Sequence, residues 1–242
     1  PHIPRAIADT NLHLGWLGQA AHESGAWVYA RIGALPYDDR HHRTTGEMYR
    51  AASMNYRAAG ADGIYMEDLS SPRTEREYGI LREMADPDTH ERKAKHYFVG
   101  ATGRGKNRFS AERPLPVTLE QGMLARVPIS VADDLKSARE DGELRQVTLA
   151  VRIVSVCAED RFSFKFNGHG LLTHPNRIST FYAGMVSPGA QKLHSHYHGE
   201  VPQRIDTHYW FEFDLDSAIV RTGENEVEVT MDQRFEPFTY DR

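Results

Sequence analysis

The spacing of apolar residues changes near the middle of the chain, and this change constrains the fold more than any other feature. In the first part, short apolar runs alternate with stretches of helical spacing, whereas in the second part apolar and polar residues alternate one by one. The first pattern is typical of strands joined by crossover helices, and the second of antiparallel strands joined by turns. Between them, GATGRGKNRFSAERPLP is rich in glycine, proline and basic residues. The sequence therefore predicts an α/β unit (1–100), a linker (101–116) and an all-β domain (117–242).

The α/β unit contains two predicted strand–helix pairs. Residues 26–33 form an aromatic and β-branched run that predicts a strand, and the count of strands rises from two to three only if residues 7–14 are included. Thr44 and Glu47 have the spacing of a capping box, and Gly60 is expected to end the helix that follows. Residues 64–66 predict the next strand. A second helix follows Pro72, with an expected buried stripe of Tyr78, Leu81, Met84 and Ala85.

The second part shows the strand pattern of a β-sandwich. Apolar and polar residues alternate cleanly in Phe162–Phe166, and Asn167-Gly168 directly after this run is a strong hairpin-turn signal. Short strands separated by turns are typical of two packed antiparallel sheets. The other predicted strands are 117–119, 126–131, 147–156, 209–215 and 226–231.

Three stretches carry a resemblance to a known family: WVYARIGALPYDD (27–39), RAAGADGIYMEDL (57–69) and REYGILREMADPDTHERKAKHYFV (76–99). They resemble the last two β/α units of glycoside-hydrolase-like (β/α)8 barrels, in particular a bacterial group with a GADGIY strand followed by an LREMADP helix. A β-sandwich with a DDL stretch, here starting at Asp133, and an NG turn follows in that group.

The resemblance implies that residues 1–100 are the C-terminal portion of a TIM-type (β/α)8 barrel. It also implies that residues 117–242 are a jelly-roll or galactose-binding-like β-sandwich. A complete barrel needs about 250 residues. The rest of the barrel would therefore be an N-terminal portion outside this chain or would come from an oligomer.

Barrel enzymes place catalytic groups at the carboxyl ends of their strands, and glycoside hydrolysis needs two carboxyl groups. Glu67 and Asp68 follow the predicted strand 64–66, so the resemblance makes them catalytic candidates together with Asp38. A solvated pair of loop acids is the alternative. The candidate substrate-binding residues after the preceding strand are Arg31, Tyr37 and Asp39.

His194, His196 and His198 form a second candidate site. Residues two apart share a face of an extended segment, so three imidazoles could converge on Zn²⁺ or Cu²⁺. A polar surface loop is the alternative. No other cofactor is expected, because GATGRGKN has Asn107 where a phosphate-binding loop requires Ser or Thr, and no helix pattern follows.

The composition of the chain limits the classes of partner that it is expected to bind. The formal charge of −5 argues against nucleic acid, and no apolar run approaches the ~18 residues of a membrane span. The lone Cys157 excludes an internal disulfide and leaves both secreted and cytoplasmic locations open. The sequence therefore predicts a carbohydrate-active protein resembling glycoside hydrolases. The alternatives are a non-catalytic carbohydrate- or protein-binding sandwich and a metal-binding protein. In a binding sandwich an aromatic residue such as Trp210 would stack on sugar, whereas packing in a core or an interface is the commoner role of such residues.

Overall fold

The computed structural model describes seven parts of the chain, which are residues 15–32, 45–66, 74–100, 115–156, 159–171, 175–182 and 207–235. The chain divides into two compact units. The first comprises Pro1–Val117, Arg126–Arg145 and Val220–Val227. The second comprises Thr118–Ala125, Gln146–Ile219 and Glu228–Arg242. The predicted linker lies almost wholly outside the described residues.

The described residues form helices, strands and two 3₁₀ turns. The helices are α1 (Gly15–Glu23), α2 (Gly46–Ala58), α3 (Glu75–Ala85) and α4 (Leu135–Glu140). The strands are β1 (Tyr29–Ile32), β2 (Gly63–Met66), β3 (Leu124–Val131), β4 (Val147–Val154), β5 (Arg161–Phe166), β6 (His169–Gly170), β7 (Arg177–Tyr182), β8 (Thr207–Leu215) and β9 (Gly223–Gln233). The 3₁₀ turns are Pro87–Thr89 and Ser217–Ile219.

The core of the first unit lies where α2 and α3 cover one face of a small parallel sheet. Strands β1 and β2 pair in parallel from Tyr29 opposite Gly63 to Ile32 opposite Met66. Removal of their apolar side chains from water, together with those of the helices, is the main driving force for this packing. The buried members of the cluster are Ala30, Ile32, Tyr49, Ala52, Tyr56, Ala61, Ile80 and Met84.

Both ends of α2 have local causes. The N-cap is Thr45, one residue later than predicted, and its side chain accepts a hydrogen bond from the amide of Met48. Thr44 lies outside the described residues. At the other end the prediction is confirmed, because Gly60 follows the helix with φ +97°, a left-handed conformation that favours glycine.

Two glycine substitutions are expected to have opposite effects. Gly60→Ala should lower the free energy of unfolding by about 1 kcal/mol, because a Cβ disfavours the left-handed conformation. Gly79→Ala should raise it by about 0.5–1 kcal/mol, since Gly79 lies inside α3 and nothing lies within 4 Å of its added Cβ. Chemical denaturation measures both changes. A loss of stability in Gly79→Ala as large as that in Gly60→Ala would contradict these assignments.

The prediction of a (β/α)8 barrel portion is wrong. Among the described residues, the parallel sheet has two strands, β1 and β2, and the other sheets have three and four strands and are mainly antiparallel. The strand–helix–strand pattern correctly indicates parallel pairing across α2. That pattern is common to every parallel α/β fold and carries no information about the number of strands or their closure. The described residues form a mixed α/β fold and not a (β/α)8 barrel.

Two further predictions need correction. In α3 the buried side chains are Ile80, Glu83 and Met84, while Tyr78 is 47% exposed. Residues 117–242 are not all-β, because the DDL stretch forms α4, capped by Asp134, whose carboxylate accepts from the amide of Ser137. This helix has only six residues, too few for apolar periodicity to indicate it.

Antiparallel pairing and aromatic packing organise the second unit. Strands β4, β8 and β7 form a three-stranded antiparallel sheet in that order. The predicted hairpin turn is confirmed, since Asn167 and Gly168 both have positive φ and join β5 to β6. The ring of Phe164 in β5 packs against Phe213 and Phe211 in β8, with centroids 4.8 and 5.2 Å apart.

Candidate functional site

Most of the site residues predicted from the sequence lie outside the described residues. These are the catalytic candidates Glu67, Asp68 and Asp38, the binding candidates Tyr37 and Asp39, and the metal candidates His194, His196 and His198. All of them stay predictions. In the described part of the chain, no group of three or more histidine, cysteine, aspartate or glutamate residues could hold a metal ion.

Arg31 is the predicted site residue that the structure places. It lies in β1 opposite Tyr65 of β2, and its side chain is half-buried. Because neighbours along a strand point to opposite sides, Arg31 and Tyr65 lie on the face opposite the buried Ala30 and Ile32. Tyr65 is 58% exposed, so this face of the small sheet is not covered by the helices of the core.

A polar contact within the stretch RAAGADGIYMEDL has a structural role. The Asp62 carboxylate accepts from the amide of Val28 at 2.7 Å and lies 2.9 Å from Nε2 of His22. The hydrogen bond from Val28, together with that from His22, lowers the pKa of Asp62. This contact joins the end of α1 to the residues that precede β1 and β2, so it sets the entry points of both strands.

The outer face of the three-stranded sheet carries a concentration of polar side chains in the described part of the second unit. Phe211 and Phe213 of β8 are buried, so Trp210, Glu212 and Asp214 lie on the opposite side of the strand. The register adds residues from both neighbouring strands to this side. We call this surface the outer face and define it by Thr148, Arg152, Arg177, Trp210, Glu212 and Asp214.

Arg177 connects the two carboxylates of the outer face. Its Nε donates to Oε2 of Glu212 at 2.7 Å, and its Nη2 lies 3.6 Å from Oδ1 of Asp214. The hydrogen bond to Glu212 is the main cause of a raised pKa for Arg177. Gln146 and Thr148 also donate to Oδ1 of Asp214. The carboxylates, the guanidinium and the amide therefore form one network of hydrogen bonds and ion pairs on the sheet surface.

Trp210 occupies the central strand of the outer face. Its register partners are Arg152 of β4 and Ser179 of β7, so it has a neighbouring strand on each side. The side chain is half-buried. Trp210 and Glu212 are two residues apart in β8, so they point to the same side of the sheet and are separated by about 7 Å along the strand axis. An indole surface thus lies next to the hydrogen-bonding network formed by Glu212 and Arg177.

Comparisons with models of known protein families and with curated proteins found no match for this chain. The described residues include no helix that is long and apolar enough to cross a membrane.

The sequence suggested Trp210 as an example of a sugar-stacking residue, which stays a prediction, and the polar residues beside it were missed. Period-2 alternation in YWFEFDL already places Glu212 and Asp214 on the side of Trp210. Arg177 had no such signal. It comes from a strand far away in the sequence, and only the pairing of β7 with β8 brings its guanidinium to the two carboxylates.

Proposed function

We propose that the protein binds a poly- or oligosaccharide through the outer face of the three-stranded sheet. The observation that carries the proposal is the position of Trp210 beside the Arg177–Glu212–Asp214 network. Aromatic rings provide rigid apolar area at binding sites, and a few placed polar groups fix the orientation of the ligand. A sugar ring has an apolar side that fits an indole and a rim of hydroxyl groups that fits carboxylates, amides and guanidinium groups.

The charge of the outer face favours a neutral sugar over a polyanion. Glu212 and Asp214 carry two negative charges, which balance the two positive charges of Arg152 and Arg177. A nucleic acid would require an excess of positive charge over the contact surface. Hydroxyl groups both donate and accept hydrogen bonds, so they are suited to a surface that offers carboxylate acceptors and guanidinium and amide donors.

The test is binding of soluble polysaccharides, for example β-glucan, xylan and mannan, by affinity electrophoresis followed by calorimetry on the best ligand. Trp210→Ala is expected to weaken binding at least about tenfold, because a central aromatic contact typically contributes most to such an interface. Trp210→Phe should retain part of the affinity.

Trp27→Ala is the matched control. Trp27 is 72% exposed and belongs to the first unit, so its truncation removes an accessible indole that is not part of the outer face. Binding should stay unchanged in this variant. The proposal is contradicted if Trp210→Ala binds as tightly as the wild type, or if none of the polysaccharides binds.

Hydrolysis of the bound saccharide stays a separate prediction. The prediction of hydrolysis depends on Glu67 as a catalytic carboxylate. The (β/α)8 barrel that would have placed Glu67 at the carboxyl end of a strand, where barrel enzymes have their active sites, is not present among the described strands. Glu67→Gln is expected to abolish hydrolysis while leaving binding at the outer face intact. Equal hydrolysis rates for the variant and the wild type would remove Glu67 from the mechanism.

A further inference from the structure

Residues 86–100 form a segment that charged contacts join to the rest of the first unit, and we call this segment the strap. It follows α3 and contains no regular structure beyond the 3₁₀ turn Pro87–Thr89. Its backbone contacts α2, because the amide of His96 donates to the carbonyl of Glu47 at 3.0 Å. Arg50 of α2 donates to the carbonyl of Ala94 at 3.1 Å.

Two lysines of the strap bind carboxylates on neighbouring elements. Lys93 Nζ lies 2.7 Å from Glu83 of α3, and the same carboxylate accepts from Nε of Arg50 at 2.7 Å. Lys95 Nζ lies 2.9 Å from Asp133, between β3 and α4, and its side chain is only 2% exposed. It also donates to the carbonyls of Glu91 and Lys93.

Two further contacts hold the strap to the region of α4. The hydroxyl of Tyr97 accepts from the amide of Asp133 at 3.1 Å. Arg92 lies 3.1 Å from Asp141 and 3.2 Å from Glu143. Ion pairs and hydrogen bonds therefore join the strap to α2, α3 and the region of α4.

His90 is the exception among these polar residues. Its side chain is 0% exposed, and neither ring nitrogen makes a hydrogen bond of ordinary geometry within the described structure, although the backbone carbonyls of Glu83 and Asp86 lie near the ring. A buried polar group without such a hydrogen bond is costly, and a buried unpaired charge costs considerably more. The strap can therefore hold His90 in its neutral form but opposes its protonation.

We propose that the strap is an acid-released device, in which protonation of His90 detaches residues 86–100 from α2, α3 and the β3–α4 connection. The held state buries a neutral imidazole. The released state exposes the ring to water, where the imidazolium is solvated. Acid therefore favours release, because the released state takes up a proton that the held state resists.

The electrostatic surroundings of His90 agree with this direction. Burial is the main cause that lowers its pKa below the ordinary 6.5, and the ammonium of Lys95 lowers it further. The carboxylate of Glu83 and the backbone carbonyls of Glu83 and Asp86 act in the opposite direction but do not offset burial. Stability from the held strap is thus present above pH 6.5 and is lost as the pH falls toward the lowered pKa.

Amide hydrogen exchange on the full chain between about pH 7.5 and pH 5 tests the proposal, with rates corrected for the intrinsic pH dependence. The informative amides are those of His90, Lys93 and His96, which donate to carbonyls within the strap or in α2. Below the ordinary imidazole pKa, their opening equilibrium should rise by up to about tenfold per pH unit, the limit for one proton. The amides of α2 should stay protected.

His90→Gln and His90→Leu are expected to remove this pH response. His169→Gln is the control, because His169 is exposed in the β5–β6 hairpin, and it should respond as the wild type does. The proposal is overturned if both His90 variants keep the wild-type pH response. If the variants fail to fold, the exchange data of the wild type decide. The proposal is also overturned if α2 and the strap lose protection together, or if the strap loses protection only below about pH 4.5, where carboxylates titrate.

Discussion

Phe213→Ala is expected to lower the free energy of unfolding of the second unit by about 4 kcal/mol, the effect typical of removing a buried aromatic ring. Phe213 is 2% exposed, and its ring packs against Phe164 of β5 with a centroid distance of 4.8 Å. Truncation removes the apolar contacts and leaves a cavity that rigid strands on both sides cannot close. Urea denaturation followed by circular dichroism measures the change.

Phe235→Ala is the matched control for Phe213. Phe235 is 40% exposed and lies after the end of β9, so its truncation should cost less than about 1 kcal/mol. Phe213→Leu should lie between the two, since leucine fills much of the cavity. Similar losses in Phe213→Ala and Phe235→Ala would contradict the placement of Phe213 in the core of this unit.

Glu83→Gln is expected to lower the free energy of unfolding of the first unit by about 2–3 kcal/mol. The substitution keeps the shape of the side chain but removes the charge bound by Arg50 and Lys93. Arg50 is only 16% exposed and would keep a positive charge without this carboxylate. The loss is smaller than for a fully buried pair, because the half-exposed Lys93 is screened by water.

Glu75→Gln is the control for Glu83, since Glu75 lies in the same helix and also pairs with an arginine. Both side chains of the Glu75–Arg82 pair are more than two-thirds exposed, so this change should cost less than about 1 kcal/mol. Thermal denaturation at neutral pH compares the two variants. Equal losses would show that burial of the Arg50–Glu83 pair does not contribute to stability.

Glu83 also has an expected pH signature. Burial raises its pKa, but the hydrogen bonds from Arg50 and Lys93 outweigh burial, and the net pKa lies below the ordinary 4.5. A carboxyl whose pKa is lower in the folded state adds stability above the unfolded-state pKa, and that stability is lost as the pH falls through the folded value. The wild type should therefore lose more stability than Glu83→Gln when acidified below about pH 4.5.

The sequence predicted individual elements well where the cause is local. The strand Phe162–Phe166 and its Asn167-Gly168 turn are confirmed, because alternation and positive φ at Asn-Gly act within a few residues. Gly60 at the end of α2 is confirmed for the same reason. The short helix α4 was missed, since its six residues are stabilised by the cap at Asp134 and not by an apolar stripe.

The candidate site was predicted less completely than the elements. Alternation in β8 is sufficient to place Trp210, Glu212 and Asp214 on one side of a strand. The charged groups that complete the outer face come from β4 and β7, and nothing in the sequence indicates that these strands flank β8. Likewise, no sequence pattern joins Lys95 to Asp133 or buries His90.

The sequence by itself determined the alternation of the strand Phe162–Phe166, the Asn167-Gly168 turn, the end of α2 at Gly60 and the parallel pairing expected of two strands that flank a helix. Only the tertiary structure decided how many strands join a sheet, which strands are neighbours and which charged groups meet. The physical reason is the sequence separation over which each interaction acts. Dihedral preferences and side-chain alternation act between near neighbours in the chain. Strand order and ion pairs such as Arg177–Glu212 instead depend on contacts between residues distant in sequence.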